Sequence, residues 1–415
     1  MFAHLAVTVT LALLTAATPV VVRQSPITIP LARRFNFTGT KTLRELDLAR
    51  VQKLRSGTKF KSRPDAAPAS ASASSFPVTV VNGAVTYTAE VLVGSSQQAF
   101  NLIVDTGSSN TWAGANTFGN PFTPSSTTQN TGELMEVTYG SGFVFGNEVV
   151  DTVQLGDLVI SGQSMGAAIL SEGFDGVDGI LGIGPTDLTE DTTSAGGTVP
   201  TVTDNAFTQG LLASKEVGIS FAPTTNESDP NGQLTFGGID TSKFTGSLTT
   251  VPITTTSPSS EFVGIDQSIT FGSAETPVLA STAGIVDTGT TLILIASDAF
   301  ATYEELTGGV MDETTGLLRI TPAQFSNLQS LFFNIGGTAF EFTPNAQIWP
   351  RALNTAIGGQ ADQIFLVVSD LGTASGSGMD FINGFTWLER FFFLWDSVTP
   401  QAGFATTPFT DATTN

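Results

Sequence analysis

Ile103-Val104-Asp105-Thr106-Gly107-Ser108 and Ile285-Val286-Asp287-Thr288-Gly289-Thr290 are near copies of each other, 182 positions apart. Each runs from apolar, strand-like residues into a turn carrying an aspartate, a glycine and two hydroxyls. Asp-Thr-Gly alone says little, since average residue usage gives roughly 0.1 chance matches in a chain of this length. Two copies that share the preceding Ile-Val and the following hydroxyl point to two equivalent elements, each presenting one carboxyl group.

What the chain lacks narrows its chemistry. There is no cysteine, and the only histidine is His4. That excludes thiolate nucleophiles, and it leaves no histidine for a Ser-His-Asp triad or a zinc site beyond the extreme N-terminus. Carboxylates remain for proton transfer near acidic pH. Two carboxyl groups held close together cannot both ionise cheaply, so they share a proton. The ionised one can then take a proton from water while the protonated one hydrogen-bonds a carbonyl oxygen. No metal or organic cofactor is implied.

Further motifs fall in a consistent order. Ser109-Asn110-Thr111-Trp112 follows the first copy, then Tyr139-Gly140-Ser141-Gly142, Asp178-Gly179-Ile180-Leu181-Gly182 and Phe236-Gly237-Gly238-Ile239-Asp240. With the paired Asp-Thr-Gly, this resembles the pepsin-like aspartic proteases over nearly all of the chain after about residue 76. The lack of cysteine is most similar to the disulfide-free secreted fungal, polyporopepsin-like members. The resemblance implies an all-β, bilobal fold with a cleft between two β-rich lobes. It implies Asp105 and Asp287 as the catalytic pair, with Thr106 and Thr288 bonded across a pseudo-two-fold axis. Gly107 and Gly289 would let the chain turn beside each carboxyl. Ser108 and Thr290 are placed to donate to the carboxylates. Tyr139, with Gly140, Ser141 and Gly142, would form a flap over bound peptide, its phenol bonded to Trp112. Ile103, Val177 and Ile180 would line an apolar pocket for the residue before the cut bond. The chain departs from the family at Ile382-Asn383-Gly384-Phe385, where two apolar residues, glycine and aspartate are usual.

Charge divides the chain. Eleven of the sixteen Lys and Arg lie between Arg23 and Arg63, opposed by Glu45, Asp47 and Asp65; the remainder carries about −29 of the total −21. A basic segment ahead of an acidic body reads as a docked pro-segment rather than a nucleic-acid arm. Leu43, Leu46, Leu48, Val51 and Leu54 predict an amphipathic helix there. Lys53, Lys59 and Lys61 are its candidates for reaching the cleft. Ala66 to Ser75 is an Ala/Ser/Pro run suited to a processing cut. Phe2 to Ala17 reads as a signal peptide.

The expected organisation is therefore a signal peptide (1–17), a basic pro-segment and linker (18–75), and lobes at 76–250 and 251–415. Short helices are expected near 207–213, 298–306 and 322–329. Asn36 and Asn226 head glycosylation acceptor sequences. The expected function is a secreted, monomeric acid endopeptidase made as a zymogen. It would act on proteins or peptides, with its own pro-segment as inhibitor, no nucleic-acid partner and no stable membrane insertion. The alternatives are a catalytically inactive binding or inhibitor protein on the same fold, and a non-enzymatic β-rich surface protein.

Overall fold

The computed structural model describes residues 25–37, 41–56, 83–115, 119–140, 142–226 and 228–414. The expected signal peptide, the Ala66–Ser75 linker, Lys59, Lys61 and Ser141 fall outside these residues. The architecture is all-β and bilobal, as expected. Strands dominate, arranged in sheets of thirteen, seven and three strands.

Matched topology in the two halves brings the aspartates to equivalent places. Strand β3 (Gln98–Asp105) ends on Asp105 and pairs in parallel with Gly179–Gly182, setting Val104 opposite Leu181. The strand Thr276–Val286 ends one residue before Asp287 and pairs in parallel with Phe381–Asn383, setting Val286 opposite Asn383. Next to each lies a three-residue strand, Thr111–Ala113 or Ile293–Ile295, antiparallel to that partner. Parallel neighbours need a long crossover between them. Each aspartate therefore depends on a strand contributed much later in its own half. Leu102, Val104, Ile285 and Val286 are buried beneath the two turns. Each such side chain contributes about 1.5–3 kcal/mol relative to exposure.

The departure at Asn383 has a local explanation. Its side chain exchanges two hydrogen bonds with Gln267, at 2.9 and 3.2 Å, inside the core. Two buried amides satisfy each other there, so no apolar residue is required. Phe385 is buried edge-on against Tyr87.

The basic N-terminal segment is built into the fold. Strand β1 (Ile27–Phe37) lies between Ser228–Phe236 and β2 (Gly83–Val93), antiparallel to both. Sequence reading assigned no strand here. Alternation puts Ile29, Leu31 and Arg33 on the inward face. Arg33 is 1 % exposed, and its Nη1 lies 3.5 Å from Glu389 Oε1. The guanidinium also lies over the rings of Trp349 and Phe385 at 5.7 and 5.5 Å. Tyr87 donates to the same Glu389 oxygen at 3.0 Å.

The expected amphipathic helix is α1, Leu43–Ser56. It buries Leu43, Asp47, Val51 and Leu54, a stripe that includes one carboxylate. Elsewhere, helices occupy Val202–Thr208, Ser297–Thr307 and Pro322–Phe325. The first starts five residues before its expected position, because Thr201 and Asp204 form a capping box. Strand Thr245–Pro252 crosses the expected lobe junction. It pairs with Gln401–Thr406, so the C-terminal strands complete the larger sheet.

Candidate active site

Asp105 and Asp287 are both fully buried and held by the same set of partners. Ser108 Oγ donates to Asp105 Oδ2 at 2.5 Å, and the Gly107 amide donates to Oδ1 at 2.9 Å. Thr290 Oγ1 donates to Asp287 Oδ2 at 2.5 Å, and the Gly289 amide donates to Oδ1 at 3.0 Å. Neither glycine could carry a side chain. A Cβ on Gly107 would fall 2.7 Å from Asp287 Oδ1, and one on Gly289 would fall 2.7 Å from Asp105 Oδ1.

The two turns are tied to each other beneath the carboxylates. The Thr106 amide donates to Thr288 Oγ1 and the Thr288 amide to Thr106 Oγ1, both at 3.0 Å. Each hydroxyl then donates onward, Thr106 to the Val286 carbonyl at 3.2 Å and Thr288 to the Val104 carbonyl at 2.8 Å. Every buried polar group in this crossing has a partner, which makes the separation of the carboxylates a rigid property of the fold.

Trp112 Nε1 donates to the Tyr139 hydroxyl at 2.8 Å. Tyr139, Trp112, Val177, Ile180 and Phe174 pack in one cluster, with Ile103 against it. The expected pocket residues are thus gathered around the expected flap tyrosine. Gly140 lies so close to the backbone of Ala49 and Arg50 that no side chain fits there, while Gly142 abuts Glu172. Asn226 is described, but not its neighbour Glu227. Asn36 lies in β1, and nothing is described of its side chain.

Sequence reading did not single out the group that occupies the site. Arg50, from α1, places Nη2 2.5 Å from Asp105 Oδ1 and 2.9 Å from Asp287 Oδ1, with Nε 2.6 Å from Asp287 Oδ2. A planar guanidinium can bond two carboxylates at once, which a lysine ammonium does less well. Lys53, one of the expected candidates, lies one helical turn further along and lines the cleft beside the pair. One turn before Arg50, Asp47 accepts from the amides of Thr291 and Leu292 at 3.1 and 2.8 Å. A basic segment bearing an amphipathic helix was the available signal. It does not tell which residue on the helix faces the pair.

Electrostatics follows from this packing. Burial raises Asp105 above its ordinary range, against the opposing charge of Arg50. Burial acts on Asp287 too, but there the charge and hydrogen bonds of Arg50 outweigh it and hold the carboxyl low. Burial would lower the Arg50 guanidinium; Asp105 and Asp287 together hold it above its usual value. Asp47 is pushed up to about 7 by burial, against the two amides and Arg50. Burial also raises Tyr139, which is therefore a neutral phenol.

The sequence pattern of the eukaryotic aspartyl proteases matches residues 86–407. Polyporopepsin of Irpex lacteus is 56% identical over 345 residues, which is 83% of this chain and 100% of that protein. Rhizopuspepsin of Rhizopus chinensis is 31% identical over 81% of this chain and 84% of its own length. The crystal structure of the aspartic proteinase from Irpex lacteus superposes with a TM-score of 0.77 at 57% identity, covering 80% of this chain and 96% of that one. The chain belongs to the eukaryotic aspartyl proteases and has their pepsin-like fold.

Proposed function

We propose that this aspartic endopeptidase works through Asp105 and Asp287 as a proton-sharing dyad, and that the chain as it stands is its self-inhibited precursor. The observation that carries the reading is the guanidinium of Arg50 between two carboxylates that the two halves present equivalently. A cation there neutralises the pair and fills the space a substrate carbonyl would need.

With Arg50 withdrawn, the pair holds one proton at acidic pH. The ionised member takes a proton from the attacking water as it adds to the peptide carbonyl. The protonated member donates to the carbonyl oxygen, and the proton then passes to the leaving amine. Ser108 and Thr290, with the amides of Gly107 and Gly289, hold the carboxylates in place through these steps. The Thr106–Thr288 crossing keeps the turns from drifting apart. Tyr139, on the flap, closes over the peptide and excludes water. The apolar cluster of Ile103, Val177 and Ile180 favours an apolar residue before the cut bond.

Residues 18–75 are the removable segment in this reading, and 76–250 and 251–415 are the two lobes. Phe2 to Ala17 directs the chain to secretion, and the released enzyme is a soluble monomer acting on proteins and peptides. Among the described residues, no helix is long and apolar enough to cross a membrane. The inactive-relative reading has no observation in its favour, since both aspartates keep their full set of partners. Hydrolysis of denatured globin by the acid-treated chain, abolished by a transition-state-analogue inhibitor, supports the reading. An acid-treated, folded chain without such activity overturns it.

A further inference from the structure

Beyond the dyad, the cleft continues into a cavity of about 400 Å³ whose walls include Asp187, Glu190 and Glu261. All three are exposed side chains. The acids come from two separate stretches, one following Pro185 and one preceding Phe262, and they share the cavity with Ser108, Tyr139 and Gly140. The cations lining that cavity are Arg50, which is bonded to the dyad, and Lys53, both from the segment that fills the cleft. No Lys or Arg occurs between Arg63 and Lys215. Lys215, which borders the neighbouring hollow with Asp187, is engaged with Asp204 at 3.0 Å. Without α1, the three carboxylates face the cleft with no cation of the body among the cavity's lining residues.

From these observations we infer that Asp187, Glu190 and Glu261 form a specificity-determining subsite for a lysine or arginine two residues after the cut bond. The inference rests on the protease reading above. The position follows from geometry. Lys53 is three residues beyond Arg50, which on a helix is an advance of about 4.5 Å. An extended peptide advances about 3.3 Å per residue, so the same distance from the cut bond reaches its second residue. A substrate running through the cleft in the direction of α1 brings that residue to the acids. Lys53 is thus a tethered stand-in for the substrate side chain. The apolar cluster of Ile103, Val177 and Ile180 lies in a different part of the site, so an apolar residue before the cut and a basic one after it are compatible demands.

The test uses the full chain after acid activation and one apolar-centred peptide made with Lys, Leu or Glu at the second position after the cut. Two further peptides carry Lys at the first or third position instead. The Lys peptide should exceed the Glu peptide in kcat/KM by about five-fold, the scale of a few exposed charge pairs. The difference should lie mainly in KM. It should shrink at high salt, because exposed pairs are screened. In the triple variant Asp187→Asn, Glu190→Gln, Glu261→Gln the Lys-to-Glu ratio should fall towards one. Equal cleavage of the Lys and Glu peptides, a ratio unchanged by salt, or a ratio unchanged in the triple variant overturns the assignment. So does a stronger lysine preference at the first or third position. The salt series on the unsubstituted chain decides the matter if the triple variant does not fold. Failure to cut even the Leu peptide would overturn the protease reading itself, and this subsite with it.

Discussion

Arg50 Nη2 stands 2.5 Å from Asp105 Oδ1, with the arginine 13 % exposed and the aspartate 1 % exposed. The same nitrogen reaches Asp287, so one side chain bonds both members of the pair. Replacing Arg50 with Gln removes the charge but keeps a polar side chain of similar reach. Breaking a buried pair costs about 3–5 kcal/mol, and the dyad can recover part of this by taking up a proton. Conversion of the Arg50→Gln chain at mildly acidic pH is expected to be about 10- to 100-fold faster, the equivalent of about 1.4–2.7 kcal/mol left after that recovery. Following release of the N-terminal segment on gels over time checks this. An unchanged rate would show that Arg50 does not hold the segment in place.

Asp47 works in the opposite sense. Its carboxyl is at about 7 when α1 is docked, against an ordinary 3.8. A raised carboxyl contributes stability that is fully present below its unfolded value and lost as pH rises through the folded value. Between about pH 4 and 7, Asp47 therefore favours the docked helix more strongly the lower the pH, with an upper limit of about 4 kcal/mol. Release at acid must come from other carboxylates, among them Asp287, whose depressed pKa gives the reverse dependence. Asp47→Asn should flatten the pH dependence of the full chain's melting temperature across that window. A melting profile that keeps its slope in the variant would rule out this role for Asp47.

Arg33 and Glu389 join the N-terminal strand to the body through a buried pair. Burial raises the Glu389 carboxyl, while Arg33, Arg390 and the Tyr87 hydroxyl pull it down. Arg33→Met removes the main counter-charge. The loss should be about 3–5 kcal/mol near neutral pH. It should diminish at low pH, where the glutamate takes up a proton and no longer needs the cation. Adding Glu389→Gln to Arg33→Met should recover most of the neutral-pH loss. Denaturant melts of the three chains at two pH values measure this. An equal loss at both pH values would mean that charge is not what β1 contributes.

The cluster of Ile103, Val177 and Ile180 beside Tyr139 sets the fourth expectation. A lysine before the cut bond would enter apolar surroundings without a partner, which is unfavourable. Mass spectrometry of digested peptide libraries should find Phe and Leu before the cut far more often than Lys. Lysine in a large share of sites would contradict this.

The two Asp-Thr-Gly turns, their hydroxyl partners and the Trp112–Tyr139 bond were legible in the sequence because each is local or carried by a distinct motif. The segment that fills the site was legible only as charge and periodicity. Arg50, rather than a lysine, meets the dyad because of the rotational setting of α1. That setting depends on Leu43, Val51 and Leu54 docking on residues far away in the chain. The burial of Asp47 was not legible, since its partners are backbone amides some 244 positions away, which no side-chain pattern announces. The strand at Ile27–Phe37 was missed because Arg33 interrupts its apolar alternation; the interruption makes sense only once Glu389 is beside it. The Asn383–Gln267 exchange likewise needs a partner 116 residues distant.

The most direct test of the central claim replaces each aspartate in turn. Asp105→Asn and Asp287→Asn preserve shape and keep an oxygen for Ser108 or Thr290, but neither amide can share or transfer the proton. Each purified variant should melt cooperatively, and each should lose acid proteolysis by about 10³-fold or more once its N-terminal segment has been removed by an added protease. If either folded variant keeps more than about a tenth of the parent's activity, far above the loss expected for a missing general acid–base group, Asp105 and Asp287 are not the catalytic pair.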